Sequence, residues 1–288
     1  KHVFYKMLGL PLEVMIASEF SYFADRIAAD TLVLCVSQSG ETADVLDGVR
    51  RVKKNGVRVF SIVNVVGSTL ARASDKVIYL NCGPEVAVAS TKAFSSQVSV
   101  FYLLAYALEG KFEEGVRELT RVADLIPESI QENSVALRDL IEVVRGKQHA
   151  YFLGRGVNFP VALEGALKLK EISYIHAEGM PAGELKHGTI ALIERGTPVV
   201  LLNPQDYTFS DSLNNGLETK ARGAFLIGVS NARNSAYDAF LKLPTLSNEL
   251  MYPLLEVIPL QLLAYYAATS LGLDPDRPRS LAKAVTVK

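Results

Sequence analysis

The chain has 288 residues, a hydrophobic content of 49% and a formal net charge of −1. The near-neutral charge, with no basic run, argues against a nucleic acid as the main partner. The most apolar windows, at 98–108 and 257–268, are too short to span a bilayer, and no signal-peptide pattern is recognisable. With two cysteines and no disulfide framework, the sequence predicts a cytoplasmic protein with no membrane partner.

Strand and helix patterns alternate along the chain, which predicts an α/β fold with mainly parallel sheets. In the first half we expect helices at 1–8, 17–23, 43–54, 68–74 and 90–108, further helices to 144, and strands at 12–16, 32–36, 57–63 and 76–80. In the second half we expect strands at 150–153, 199–202 and 224–229, and helices at 160–175, 210–220 and 254–271. A proline-rich irregular tail follows.

The two halves repeat one another at an offset of 166 residues, with Thr31 matching Thr197. The repeat predicts two lobes, 1–135 and 136–288, each a mainly parallel sheet between helices in a three-layer αβα arrangement. The strand, turn and helix at 151–175 have only residues 1–8 as a counterpart. We therefore expect the chain to begin midway through a helix and the first lobe to lack its first strand.

A cluster of polar side chains, Ser37-Gln38-Ser39-Gly40-Glu41-Thr42, stands where a buried strand is followed by an amphipathic helix. The start of a helix offers unpaired N–H groups and the positive end of the helix dipole, and the added hydroxyls favour binding of a phosphate or another anion. An ordinary helix cap needs only one such hydroxyl. Ser90-Thr91-Lys92, at the start of another helix, forms a second hydroxyl cluster.

Acid–base chemistry is suggested by Glu164, Lys168 and Glu171, which lie on one face of the helix predicted at 160–175. A solvated, salt-bridged face is the competing interpretation, but the apolar neighbours indicate a buried helix in which a lysine between carboxylates suits proton transfer. His187 is a candidate acid or base. Composition alone makes Lys283 a solvated tail lysine.

A dinucleotide site has to be considered at Gly154-Arg155-Gly156, between a strand and a helix. The third glycine of that motif is replaced by Phe159, and no acidic residue ends the next strand, so a nicotinamide site is disfavoured. No spacing of His, Cys or carboxylate residues indicates a metal site. We expect neither a cofactor nor a metal.

Five segments carry a family resemblance because they occur in the same order and at similar spacing as in one group of enzymes. They are 37–44 (SQSGETAD), 88–94 (VASTKAF), 162–171 (ALEGALKLKE), 183–188 (GELKHG) and 281–287 (LAKAVTV). Over essentially its whole length the chain closely resembles the sugar isomerase half of the glutamine–fructose-6-phosphate amidotransferases. The resemblance implies the sugar isomerase (SIS) fold and an aminotransferase and isomerase activity of hexosamine biosynthesis.

The resemblance also implies a role for each matching residue. The sugar phosphate would be held by Ser37, Gln38, Ser39, Thr42, Ser90 and the backbone near Val88. Glu171 would be the base that moves a proton between C1 and C2 of the open-chain sugar, and Lys168 would stabilise charge near these carbons. Lys283 would form or assist a Schiff base with the C2 carbonyl. His187 would catalyse ring opening from the neighbouring subunit of a homodimer.

In this family fructose-6-phosphate is converted toward glucosamine-6-phosphate, with glucose-6-phosphate as the product without ammonia. The ammonia comes from an N-terminal glutaminase domain, to which nothing in this sequence corresponds. Two alternatives stay open. One is a stand-alone fructosamine-phosphate deglycase or isomerase of the same fold, and the other is a non-catalytic SIS module that senses a sugar phosphate.

Overall fold

A computed structural model describes residues 1–283 of the chain and divides it into two compact units. Apart from the first two residues, the first unit is Val3–Leu108 with the segment that begins at Ser280, and the second is Glu109–Arg279. The lobe boundary between residues 135 and 136 stays a prediction. Residue 135 itself lies inside one continuous helix of the second unit.

The first unit is built on a three-stranded parallel sheet. Its elements are α1 (His2–Leu8), α2 (Ala17–Phe20), β1 (Leu32–Ser37), α3 (Ala43–Lys54), β2 (Arg58–Val63), α4 (Thr69–Ala73), β3 (Lys76–Tyr79) and α5 (Lys92–Leu108). The strand order is β1-β2-β3, and Leu32 pairs with Arg58 in the register of the first two strands. Because all three strands are parallel, their carboxyl ends lie at one edge of the sheet.

The core of the first unit lies between this sheet and α3 and α4. Val49 and Val52 of α3 and Leu70 of α4 are buried with Val59 and Val63 of β2. Val33 and Cys35 of β1 pack against the same cluster from alternate strand positions. Burial raises the pKa of the Cys35 thiol to about 11, so that this cysteine stays protonated as an apolar filler.

The strand predicted at 12–16 is wrong. These residues have no regular structure, and the side chains of Val14 and Ile16 are 67% and 74% exposed. In the second unit the matching strand, His176–Pro181, pairs with His149–Gly154. Among residues 1–283 the first sheet contains no counterpart of that partner. Without a neighbouring strand, the backbone groups of 12–16 have no ladder in which to pair.

The second unit contains a five-stranded parallel sheet of order β5-β4-β6-β7-β8. Its elements are α6 (Phe112–Val144), β4 (His149–Gly154), α7 (Asn158–Ser173), β5 (His176–Pro181), β6 (Pro198–Leu202), α8 (Phe209–Lys220), β7 (Phe225–Ser230), β8 (Ala239–Lys242) and α9 (Tyr252–Ser270). Helix α7 packs on β4 and β5 and is covered by α9, which in turn contacts α6. Helix α8 packs on β6 and β7.

The predicted fold class is confirmed, because the structure has two parallel sheets flanked by helices. The repeat is also present, since β1, α3 and β2 have β6, α8 and β7 as counterparts. Two strands were missed, β5 and β8. The sequence of β5, HAEGMP, contains a glycine and a proline, and β8 has only four residues. Both are edge strands, in which packing with the neighbouring strand overrides weak local propensity.

Helix α9 is the most apolar element of the fold. With the turn before it, the helix is long and apolar enough to cross a membrane by length and composition, but 72% of its apolar window is buried inside the protein. Burial of this extent is typical of the core helix of a soluble protein.

Candidate functional site

The polar turn after β1 is organised by its own hydroxyls. Ser37 Oγ accepts a hydrogen bond from the Gly40 amide at 3.0 Å, and Ser39 Oγ accepts one from the Glu41 amide at 3.2 Å. Thr42 begins α3 but its side chain makes no capping hydrogen bond. The turn therefore combines two hydroxyls that shape the backbone with one at the helix start that is not used as a cap.

Gly40 is required by the geometry of this turn. Its φ is +68°, in the left-handed region, and an added Cβ would lie 2.6 Å from Ser68 Cβ. The side chain of Glu41 points out of this loop, because its Oε1 accepts the Thr69 amide at 2.8 Å at the start of α4. That backbone hydrogen bond is the main reason why the pKa of Glu41 is lowered.

Asn64 links the three strand ends, a role that the sequence reasoning missed. Its backbone N–H donates to Gln38 O at 3.0 Å. Its side-chain Nδ2 donates to Gly83 O at 2.8 Å, and its Oδ1 accepts the backbone N–H of Cys82 at 3.3 Å. An asparagine directly after a buried parallel strand was the available signal. Asn64 joins the turn after β1 to the loop after β3, so both hydroxyl clusters rest on one hydrogen-bonded framework.

A second polar cluster lies before α5. The sequence analysis predicted Ser90 there but did not identify Glu85. The side chain of Glu85 is only 4% exposed. Its Oε2 lies 2.7 Å from Lys283 Nζ and accepts the Ser90 hydroxyl at 2.9 Å. Burial disfavours the charged carboxylate, but these donors and two backbone amides hold the pKa of Glu85 below its usual value. Ser90 and Lys283 are therefore neighbours, whereas composition had indicated a solvated Lys283.

Val88 lies in the irregular stretch before α5 and is half-buried. The predicted phosphate-binding residues of the first unit lie at the end of β1, in the turn after it, or before α5. They are Ser37, Gln38, Ser39, Thr42 and Ser90. The remaining predicted residues, Lys168, Glu171 and His187, belong to the second unit.

The acid–base triad of α7 has a buried lysine between two partly exposed carboxylates. Lys168 is 4% exposed and its Nζ lies 2.7 Å from Glu171 Oε2 and 3.3 Å from Glu164 Oε1. The interpretation as a solvated face is therefore wrong. The Lys168–Glu171 contact is an ion pair by distance but not a hydrogen bond by geometry, which leaves Glu171 Oε2 buried without a donor. A carboxylate oxygen in that state retains its capacity to accept a hydrogen bond.

His187 ends a 3₁₀ helix, Ala182–His187, where the sequence predicted a polar hinge. Leu185 and Ala182 are buried beneath it and hold this turn on the core of the second unit. The imidazole itself is exposed, and in the described part of the chain it makes no hydrogen bond.

The turn after β6 corresponds to the polar turn after β1 in the repeat, but side chains of the protein itself occupy it. Asp206 Oδ1 accepts the amide and the hydroxyl of Thr208, and its Oδ2 accepts Asn158 Nδ2 at 2.9 Å. Tyr207 also packs closely against Gly156, since a Cβ added at Gly156 would lie 2.9 Å from Tyr207 Cζ. An internal carboxylate thus occupies the start of α8.

Comparisons with known proteins agree with this architecture. The SIS domain family matches residues 1–107 and 144–271. The chain belongs to the SIS domain family. A solved structure described as the C-terminal domain of glucosamine-fructose-6-phosphate aminotransferase from Francisella tularensis superposes with a TM-score of 0.88 at 37% identity, over 96% of this chain and 81% of that one. The resemblance drawn from the five segments is confirmed.

Curated relatives point to the same group of enzymes. The glutamine–fructose-6-phosphate aminotransferase [isomerizing] of Thermococcus kodakarensis is 47% identical over 94% of this chain and 47% of its own length. The chain therefore spans about half the length of the curated relatives it matches. A structure described as glucosamine-6-phosphate deaminase from Thermotoga maritima has a TM-score of 0.83 at 26% identity, over 99% of this chain and 84% of that one.

Proposed function

We propose that this SIS chain is the isomerase half of a glucosamine-6-phosphate synthase. It binds fructose-6-phosphate, opens the sugar ring and carries out the ketose-to-aldose shift toward glucosamine-6-phosphate. A glutaminase domain of the whole enzyme supplies the ammonia. The names of the curated relatives, the match to a C-terminal aminotransferase domain and the residues of the five segments support the proposal.

The observation that carries the proposal is the pair of Glu171 and the buried Lys168. An aldose–ketose shift needs one base that reaches both carbons and a positive group that stabilises the enediol-like charge. Glu171 takes a proton from C1, the electrons of that C–H bond form the C1–C2 double bond, and the π electrons of the C2 carbonyl move to O2. The same carboxyl returns the proton to C2, while the O1 hydroxyl passes its proton to O2 and becomes the carbonyl oxygen of the aldose. Lys168 stabilises the negative charge while the proton is on Glu171. No metal takes part in this scheme.

The remaining roles follow from residue type and family resemblance. Ser37, Gln38, Ser39, Thr42, Ser90 and the backbone at Val88 hold the phosphate. Lys283 forms or assists a Schiff base at the C2 carbonyl, in which the amine nitrogen bonds to C2 and the carbonyl oxygen leaves as water. The exposed imidazole of His187 acts in ring opening from the partner subunit of a homodimer. We expect the enzyme to be cytoplasmic.

Exchange in deuterated water tests the assignment of the base. The protein is incubated with fructose-6-phosphate, and deuterium at C1 and the appearance of glucose-6-phosphate are followed by NMR. Glu171→Gln is expected to abolish both, while calorimetry shows that the variant still binds the sugar phosphate. Glu178→Gln, an exposed carboxylate of β5, is the matched control and should retain the wild-type rate. Exchange by Glu171→Gln at that rate would show that another residue is the base.

Borohydride trapping tests Lys283 separately. Reduction in the presence of fructose-6-phosphate should attach the sugar to wild-type protein but not to Lys283→Ala, as read by mass spectrometry of the C-terminal peptide. Equal labelling of the two proteins would remove Lys283 from the covalent step without changing the assignment of Glu171.

The second candidate function is a glucosamine-6-phosphate deaminase or a related deglycase. It is favoured by the similarity to the Thermotoga maritima structure described as a deaminase. Release of ammonia from glucosamine-6-phosphate by this chain would support it. Transfer of ammonia to fructose-6-phosphate, measured with added ammonium salt, would support the synthase.

A further inference from the structure

Glu85 has no role in the scheme above, yet it makes four polar contacts. Its Oε2 lies 2.7 Å from Lys283 Nζ and accepts the Ser90 hydroxyl at 2.9 Å. Its Oε1 accepts the amides of Thr91 at 2.8 Å and Ala93 at 3.3 Å, at the start of α5. The two oxygens thus have different partners. Oε1 fixes the carboxylate to the start of α5, and Oε2 contacts two proposed functional groups, Ser90 and Lys283.

Lys283 has little else to hold it in place. It follows an irregular segment and is separated from Glu85 by 198 positions in the sequence. Its other hydrogen bond, at 3.3 Å, is to Ser90 Oγ, which is itself bound to Glu85. The nearby Lys92 is occupied by the Pro84 carbonyl at 2.7 Å. Among the described residues, Glu85 is the one carboxylate in ion-pair contact with Lys283.

We propose that Glu85 is the positioning residue for Lys283. Its helix-anchored carboxylate holds the amine beside Ser90 until a sugar phosphate arrives. The contacts lie within the first unit, so the proposal needs no assembly. Its relevance to catalysis rests on the function proposed above, but the contact itself can be measured without any sugar.

The physical basis is the burial of the pair. The side chain of Glu85 is 4% exposed and that of Lys283 is 25% exposed, so solvent screens their attraction less than that of a surface pair. Because the amine is held against Glu85 and Ser90, it must leave both partners before it can react. Lys283 should therefore react slowly with amine reagents at neutral pH.

Competitive amine labelling measures this directly. The protein is treated with isotope-coded acetic anhydride at neutral pH, and the peptides are quantified by mass spectrometry. In the wild-type protein Lys283 should label about tenfold more slowly than exposed Lys54, as the breaking of one charge-assisted hydrogen bond implies. Labelling of Lys283 at the rate of Lys54 would overturn the proposal without use of any variant.

Glu85→Gln is the decisive variant, because the amide oxygen can still accept the Thr91 amide while the negative charge is gone. It should speed the labelling of Lys283 about tenfold at neutral pH, because the amine is released from the carboxylate. Glu85→Asp restores the charge on a shorter side chain and should return part of the protection. Unchanged labelling in a folded Glu85→Gln protein would overturn the proposal.

The matched control is Asp75→Asn, which removes the partner of Lys53 in the same unit. That pair is 2.6 Å apart but its side chains are 37% and 42% exposed, so the labelling of Lys53 should change little. The two proposals fail separately. If the sugar is not isomerised but labelling responds as expected, the function is wrong and the contact is real. If isomerisation occurs with unchanged labelling, only the role of Glu85 is lost.

Discussion

Asp206 Oδ1 accepts both hydrogens that Thr208 can donate, the amide and the hydroxyl, each at 2.7 Å. The other oxygen accepts Asn158 Nδ2 at 2.9 Å. A carboxylate of the protein thus sits at the start of α8, where the matching turn of the first unit presents hydroxyls. The two halves of the repeat therefore differ in whether a carboxylate of the protein occupies the helix start.

We expect Asp206→Asn to destabilise the second unit by about 1–3 kcal/mol. Asparagine can still accept the Thr208 hydrogens with its oxygen, but its NH₂ group then faces the NH₂ group of Asn158, and a buried donor loses its acceptor. Hydrogen exchange of peptides from α7 and α8 measures the effect within that unit. Asp211→Asn is the control on the same helix, because that side chain is 70% exposed. Equal effects of the two substitutions would contradict the explanation.

Glu256 on α9 predicts a dependence of stability on pH. The side chain is fully buried and neither oxygen has a hydrogen-bond partner in the described structure. Burial, followed by the charge of Asp206, raises the pKa of Glu256 well above 4.5. The folded protein therefore binds this proton more tightly than the unfolded chain. Its contribution to stability is fully present below about pH 4.5 and falls as the pH rises through the folded pKa.

Glu256→Gln replaces the protonated acid by a neutral side chain of similar shape and removes this dependence. The melting temperature of the variant relative to wild type should increase as the pH rises from about 5 and level off once it has passed the folded pKa of Glu256. Differential scanning calorimetry across that range makes the measurement. Glu194→Gln, at an exposed position, should show no such trend. A difference in melting temperature that is constant with pH would show that Glu256 is not the titrating group.

Gly40 and Gly56 separate backbone strain from steric clash. Both have positive φ, +68° and +75°, but a Cβ at Gly40 meets Ser68 whereas one at Gly56 meets nothing within 4 Å. We expect Gly56→Ala to cost about 1 kcal/mol for the left-handed conformation alone and Gly40→Ala to cost more. Thermal unfolding compares the two. Calorimetric titration with fructose-6-phosphate should show weaker binding for Gly40→Ala only.

Lys168→Met tests the acid–base triad of α7. The substitution leaves the Glu164 and Glu171 carboxylates without their shared cation, and loss of one partner of a buried ion pair typically costs about 3–5 kcal/mol. The melting temperature should fall by several degrees. Lys170→Met, on the exposed side of the same helix, should have little effect. Equal melting temperatures for the two variants would mean that the ion pairs contribute no net stability.

The sequence by itself determined the fold class, the repeat and the grouping of Glu164, Lys168 and Glu171, because these depend on local periodicity and on helix geometry. The five segments were sufficient to identify the family. Strand β5 and the irregular stretch at 12–16 were not predicted correctly, since the pairing of a strand depends on a neighbour that is distant in the chain.

Only the tertiary structure decided what occupies each polar turn. Asn64 joins the loops after β1 and β3, Asp206 fills the second helix start, and Glu85 holds Lys283 across 198 positions. These contacts involve residues that no spacing rule connects. Burial then sets the strength of each charge interaction, because the dielectric around a carboxylate depends on the folded surroundings rather than on its sequence neighbours.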